Sequence, residues 1–332
     1  MMKTGTLPKG KLRGEALRKI VLQHLPMLDE TGAPGLDFSR LPASLGDLLI
    51  SCDPIIGIPP EYYGFSAVHV PGADIAVAGV RPRYLELGVY YPPDYSAEWL
   101  DKNMGELGDE ATRLGIKIIG GHTGGYDGLT LPLISSTCIG IVEDKLLSPS
   151  KIEPNDKLII SGPVTHEMAV FLSFVETDKM KRILGAKRIP ELRNEIRTLS
   201  VIEPALAAAE AGARAMHDIA EGGTSQAVKE MSDASRLGIA LEFDKVPWSK
   251  DGLLAVEAYG ADPLSASSFG SILIASPEAH VSEIIKALRG FGRPAKEAGY
   301  FLQGKGVIVK KGQEESELEI KEDIYGQFTK NL

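Results

Sequence analysis

Apolar residues recurring at spacings of three and four mark the helices of this sequence, and short unbroken or alternating apolar runs mark its strands. Between 96 and 115, Leu100, Met104, Leu107, Ala111 and Leu114 keep the helical rhythm, and Gly115 ends it. Leu17, Ile20, Val21 and Leu25 share one face of GEALRKIVLQHL, residues 14–25, which predicts a short amphipathic helix docked on the body. DLLISCD, SAVHV and YLELGVYY, at 47–53, 66–70 and 84–91, read as strands. PGADIAVAGVRP, between the last two, reads as a short helix closed by Pro82. IKII enters a glycine-rich stretch as a strand, and LPLISSTCIGIVE leaves it as another.

A polar segment with two prolines, SPSKIEPNDK at 148–157, interrupts this pattern. It predicts a helical segment over 1–30, an N-terminal domain over 31–147 and a C-terminal domain over 148–332. In the last of these, LIISG, IALEF, SILIAS and GVIVKK are strand-like, whereas EPALAAAEAGA, EGGTSQAVKEMSDAS and VSEIIKALRGF are helical. Strands and helices alternate irregularly in both halves. An α+β architecture of two domains fits this better than a regular βαβ repeat.

Composition narrows the function classes. A chain of 332 residues, 43% hydrophobic and 24% charged, can bury a sizeable core. Its net charge of −9 and the lack of a Lys/Arg stripe with interleaved aromatics argue against a nucleic-acid partner. Only Cys52 and Cys138 occur, in no CxxC pair, so a zinc knuckle, redox pair or disulfide scaffold is not expected and a reducing cytoplasm is. MMKTGTLPKGKLRG has no apolar leader core, and no apolar run reaches membrane-span length, so neither export nor a membrane is expected. GxxxxGK(S/T), HExxH and GxSxG are absent and no GxGxxG follows a strand, which leaves acids and glycines to carry any chemistry.

Those acids fall at suggestive places. Asp37 lies in the turn-rich PGLDFS, Asp53 ends an apolar run and Asp74 opens the helix in GADIA. Gathered, they would suit Mg²⁺, which takes few carboxylates and completes its shell with water and phosphate oxygens; singly, each is an ordinary turn or capping residue. Five glycines in IIGGHTGGYDG, residues 118–128, suit either a cradle of backbone N–H groups for phosphate or a hairpin turn. Asp218 and Glu221 precede two glycines and a helix start, where acids bind metal or merely complement the helix dipole. His69, His122 and His166 are candidates for acid–base work or for hydrogen-bonded structural roles.

Taken in order, these segments resemble the superfamily of aminoimidazole ribonucleotide (AIR) synthetase (PurM), HypE, thiamine-monophosphate kinase and selenophosphate synthetase. PGLDFS, LLISCDPIIG, SAVHVPGADIAVAGVRPRYL, GIKIIGGHTGG, KIEPNDKLIISGP, HDIAEGGTSQAVKEM and SASSFGSILIA carry the likeness across nearly the whole chain, which is most similar to archaeal HypE-like proteins. The resemblance implies a PurM-like N-terminal sheet that pairs across a homodimer into a barrel, and a ferredoxin-like α/β C-terminal domain. It also implies ATP with Mg²⁺ and phosphoryl-transfer or ligase-type chemistry on a small molecule, or a HypE-like role through a protein partner. Asp37, Asp53 and Asp74 would then hold metal, Gly120, Gly121, His122 and Thr123 would line the phosphates, and Asp218, Glu221 and His122 would serve the reacting end. Two departures stand out: Ala73 replaces the family's Asn before Asp74, and the chain ends FTKNL where HypE has its terminal cysteine.

Overall fold

The computed structural model describes residues 39–41, 46–93 and 95–328. The helix expected at 14–25 and Asp37 lie outside the described residues. β1 (Ser39–Leu41), β2 (Leu48–Ile55), β3 (Pro82–Tyr91), β4 (Lys117–Gly125) and β5 (Leu133–Ile141) form one sheet in the order β1-β2-β5-β3-β4. α1 (Tyr63–Val77) packs on one face of it, and α2 (Ala97–Leu114) connects β3 to β4, which run parallel. Ser96 caps the start of α2 by accepting from Trp99 N, and Gly115 closes its end at φ 72°, so this helix stands where the apolar rhythm placed it.

SAVHV is not a strand. It is the middle of α1, a helix with thirteen of its fifteen residues buried. A helix covered on all sides shows no one-faced apolar stripe, so its sequence mimics a short apolar strand. Pro71 lies inside it and removes the amide that would bond the Ala67 carbonyl four residues back. Ser136 Oγ of β5 supplies the missing donor, meeting Ala67 O at 2.6 Å.

The glycine stretch is not a loop either. GGHTGG belongs to β4, an exposed strand at the edge of the sheet, paired with β3 from Tyr84↔Lys117 to Tyr91↔Gly125. The register shifts between Leu85 and Glu86, and Gly121, at φ 155°, lies so close to β3 that a Cβ there would come within 2.1 Å of Leu87 O. Glycine at 121 is thus required by close strand approach.

The second half builds a seven-stranded sheet, β12-β11-β8-β10-β6-β9-β7, from β6 (Lys157–Ser161), β7 (Ala215–Ile219), β8 (Gly238–Glu242), β9 (Ser271–Ser276), β10 (Ala295–Leu302), β11 (Val307–Lys311) and β12 (Glu314–Glu317). Its helices are α3 (His166–Val175), α4 (Thr177–Leu184), α5 (Arg188–Asn194), α6 (Ile202–Glu210), α7 (Gly223–Ser235), α8 (Lys250–Glu257), α9 (Glu278–Gly290) and α10 (Tyr325–Phe328). The architecture is therefore mixed α+β around two open sheets. One apolar cluster runs through both, joining Leu85, Ile134 and Ile75 to Ile202, Met216, Ile272 and Ile284. α1 is the shared element: Gly72 lets it approach α6 so closely that a Cβ would meet Ile202 Cδ1 at 2.7 Å.

Candidate functional site

Asp53 and Asp74 are 21 positions apart in sequence, and the fold brings both to one hydroxyl. Ser51 Oγ lies 3.0 Å from Asp53 Oδ2 and 2.5 Å from Asp74 Oδ2. Alternation along β2 turns Ser51 and Asp53 toward α1, and Asp74 comes from that helix. A hydroxyl carries one hydrogen and can donate to only one carboxylate at a time. Hard oxygen donors gathered in this way suit Mg²⁺. Among the described residues no three His, Cys, Asp or Glu side chains stand close enough to hold a metal by themselves. Two carboxylates with remaining positions left to phosphate oxygens is the arrangement Mg²⁺ favours.

The other expected phosphate-side residues are elsewhere on the sheet. Asp53 pairs with Ser136, Ser136 with Leu87 and Leu87 with Gly121, so β4 is three strands from β2, about 14 Å at the usual strand spacing. His122 pairs with Gly88 on the face opposite α1, where its Nε2 meets Tyr126 Oη at 2.5 Å and its ring lies near Tyr90. Thr123 is aligned with Val89 and Ile134, on the same face as Asp53. Gly120 and Gly121 are exposed.

Asp218 is buried on β7, beside His217, whose Nε2 approaches Glu230 at 3.2 Å. Glu221 follows in the turn into α7 and is exposed. Its carboxylate adds to a negative cluster that the sequence did not announce. Asp323 accepts from Gly222 N at 2.8 Å, Tyr325 N at 3.0 Å and Ser267 N at 3.2 Å, and Glu167 accepts from Ser267 Oγ and Phe269 N, both at 2.7 Å. Loss of hydration pushes Glu167 up to about 7, with Asp323 and Glu221 adding to the rise. Burial also raises Asp323. Tyr325 stacks on Phe171 and donates to Gly57 O at 3.1 Å, tying this cluster to the loop that follows β2. Glu167, Asp323 and Tyr325 were not found by sequence reasoning. Glu167 carries a weak signal as an acid opening a helix after SGP; residues 323–325 carry none.

His69 is a structural residue. Fully buried in α1, it stacks on Phe65 and pairs through Nε2 with Glu110 at 2.9 Å. Burial lowers its pKa, while the His69 and Arg113 contacts hold Glu110 down at about 2. His166 is likewise buried and hydrogen-bonded, to Ser249 and Glu195.

Residues 45–142 match the AIR synthase related protein N-terminal domain and residues 153–312 match the AIR synthase related protein C-terminal domain. The chain belongs to the AIR synthase related protein family. Within and around this family it is 27% identical over 319 residues to a hydrogenase expression/formation protein of Methanocaldococcus jannaschii, covering 91% of each chain. The fold matches that of the HypE–HypF complex structure with a TM-score of 0.75 at 18% identity, over 92% of this chain and 100% of the other. It matches HypE in complex with ATP with a TM-score of 0.67 at 20% identity, over 88% and 91%. Among the described residues of this AIR synthase related protein, no helix is long and apolar enough to cross a membrane.

Proposed function

We propose that this protein is an ATP- and Mg²⁺-dependent phosphoryl-transfer or ligase-type enzyme that acts on a small molecule, as a cytoplasmic homodimer. The convergence of Asp53 and Asp74 on Ser51 carries the reading. The two carboxylates would hold Mg²⁺, joined by Asp37, and the metal would neutralise phosphate charge, the main requirement of phosphoryl transfer. The fold likeness to an ATP complex of HypE supports the nucleotide. Glu221, with Asp218 behind it, would act at the reacting end.

Gly120, Gly121, His122 and Thr123 lie three strands, about 14 Å, from Asp53 in one sheet, beyond the phosphate oxygens that a metal at Asp53 would hold. A second copy covering the open face and edge strand β4 would place them at its partner's site, so the phosphate role and the barrel-forming dimer stand together. A ferredoxin-like second domain belongs to the same reading. The alternative is a HypE-like protein that binds nucleotide and works through a protein partner, favoured by the likeness to a HypE–HypF complex over nearly the whole chain.

Calorimetry tests the first reading. ATP with Mg²⁺ is expected to bind, and Asp53→Asn to weaken binding by roughly 1.4 kcal/mol or more, tenfold in Kd, in a protein that stays folded. Unchanged affinity in a stable variant would remove the aspartate pair from the site. ATP turnover without a partner favours the enzyme; binding without turnover favours the partner-dependent role.

A further inference from the structure

A cavity of about 410 Å³ opens in the second half of the chain, and all of its lining residues come from between Pro163 and Pro294. Part of its wall is a closed network. Arg188 donates to Glu195 at 2.5 and 2.8 Å and to Asp251 at 2.8 Å. Glu195 also meets His166 Nε2 at 2.8 Å, and Ser249 Oγ lies 3.0 Å from His166 Nδ1. A neutral His166 with its proton on Nε2 satisfies both contacts. The two carboxylates of this wall are thus already committed to Arg188.

Arg293 lines the same cavity and is differently placed. It is 6% exposed; Nη1 donates to the carbonyls of Thr198 and Ser200 at 3.3 and 3.1 Å, while Nε and Nη2, both buried just beneath the cavity surface, have no hydrogen-bond partner among the described residues. Among the described residues no acid pairs with it, and burial holds its pKa down to about 10. Nε and Nη2 form one edge of the planar guanidinium, the edge that meets an oxyanion with two parallel N–H bonds. Lys250, exposed on the same cavity, makes no ion pair among the described residues. Three cations, Arg188, Lys250 and Arg293, thus face two carboxylates.

We propose that this cavity binds a small oxyanion, the phosphate or carboxylate group of a soluble metabolite, with Arg293 as its fixed counter-charge and Lys250 as a second contact. The anion would supply the negative charge and hydrogen-bond acceptors that no side chain gives Arg293. This ligand is separate from any nucleotide at Asp53.

Titration of the full chain with inorganic phosphate or acetate, at ionic strength held constant with chloride, tests the proposal by calorimetry and thermal unfolding. At least one anion is expected to bind and raise Tm; a response to phosphate alone assigns a phosphoryl ligand and to acetate alone a carboxylate. Lys250→Ala should weaken binding roughly tenfold, the scale of one charge-assisted contact, and Arg293→Gln should abolish it. Asp53→Asn should leave it unchanged. If Arg293→Gln does not fold, the exposed Lys250→Ala decides. No response beyond chloride, or binding undiminished in the variants that fold, would overturn the site.

Discussion

Ser136 Oγ takes the place of the amide hydrogen that Pro71 lacks, so a single hydroxyl on β5 completes the hydrogen bonding of a buried helix. Ser136→Ala would leave the Ala67 carbonyl without that donor, and we expect it to lower stability by about 1–3 kcal/mol in urea unfolding. Glu167 makes stability depend on pH. Its folded pKa, about 7, lies above the ordinary 4.5, so its contribution favours the folded state below pH 4.5 and is lost as pH rises through 7. Glu167→Gln should therefore flatten the fall in Tm between pH 5 and 8; an unaltered profile would show that Glu167 is hydrated. At this scale the sequence reveals chemistry better than proximity. Asp53 and Asp74 are legible as acids near element ends, but Asp74 stands in the last turn of α1 rather than opening a helix, and the meeting of the two at Ser51 depends on how α1 packs on β2. Glu167 and Asp323 are over 150 residues apart and only the folded chain brings them together.

Elements were legible where one face is wet. α2 has a polar side and declares its period; α1, buried on every side, does not, and β4 was misread because glycines that permit close strand approach look like glycines that permit a turn. The same crowding makes α1 intolerant. At Gly64 a Cβ would lie 2.2 Å from Asn103 O, a backbone atom of α2. Gly64→Ala is expected to cost about 1–3 kcal/mol, as overpacking does, and to reduce Tm without altering the surface. A neutral effect would mean that α1 and α2 can move apart at this contact without cost.

On the scale of the whole molecule, an α+β chain with strands in both halves was readable from pattern, but the extent to which the halves merge was not. The face of the first sheet opposite α1 carries Cys52, Tyr84 and Glu86 exposed, and β4 presents an edge beside the exposed Ile118 and Ile119. Light scattering at micromolar concentration is expected to return twice the mass of the chain, and a monomer would count against the shared site. The continuous apolar cluster through α1 and α6 has a further consequence for how this protein can move and be divided. A hinge that swung the two sheets apart would have to strip Ile75, Ile202 and Met216 of their neighbours, so rigid-body opening is costly and ligand exchange must rely on loops and side chains at the rim. The second family-matched region also has apolar clusters of its own, around Phe301 and Met168, but either region expressed alone would expose the part of the shared cluster that the other covers.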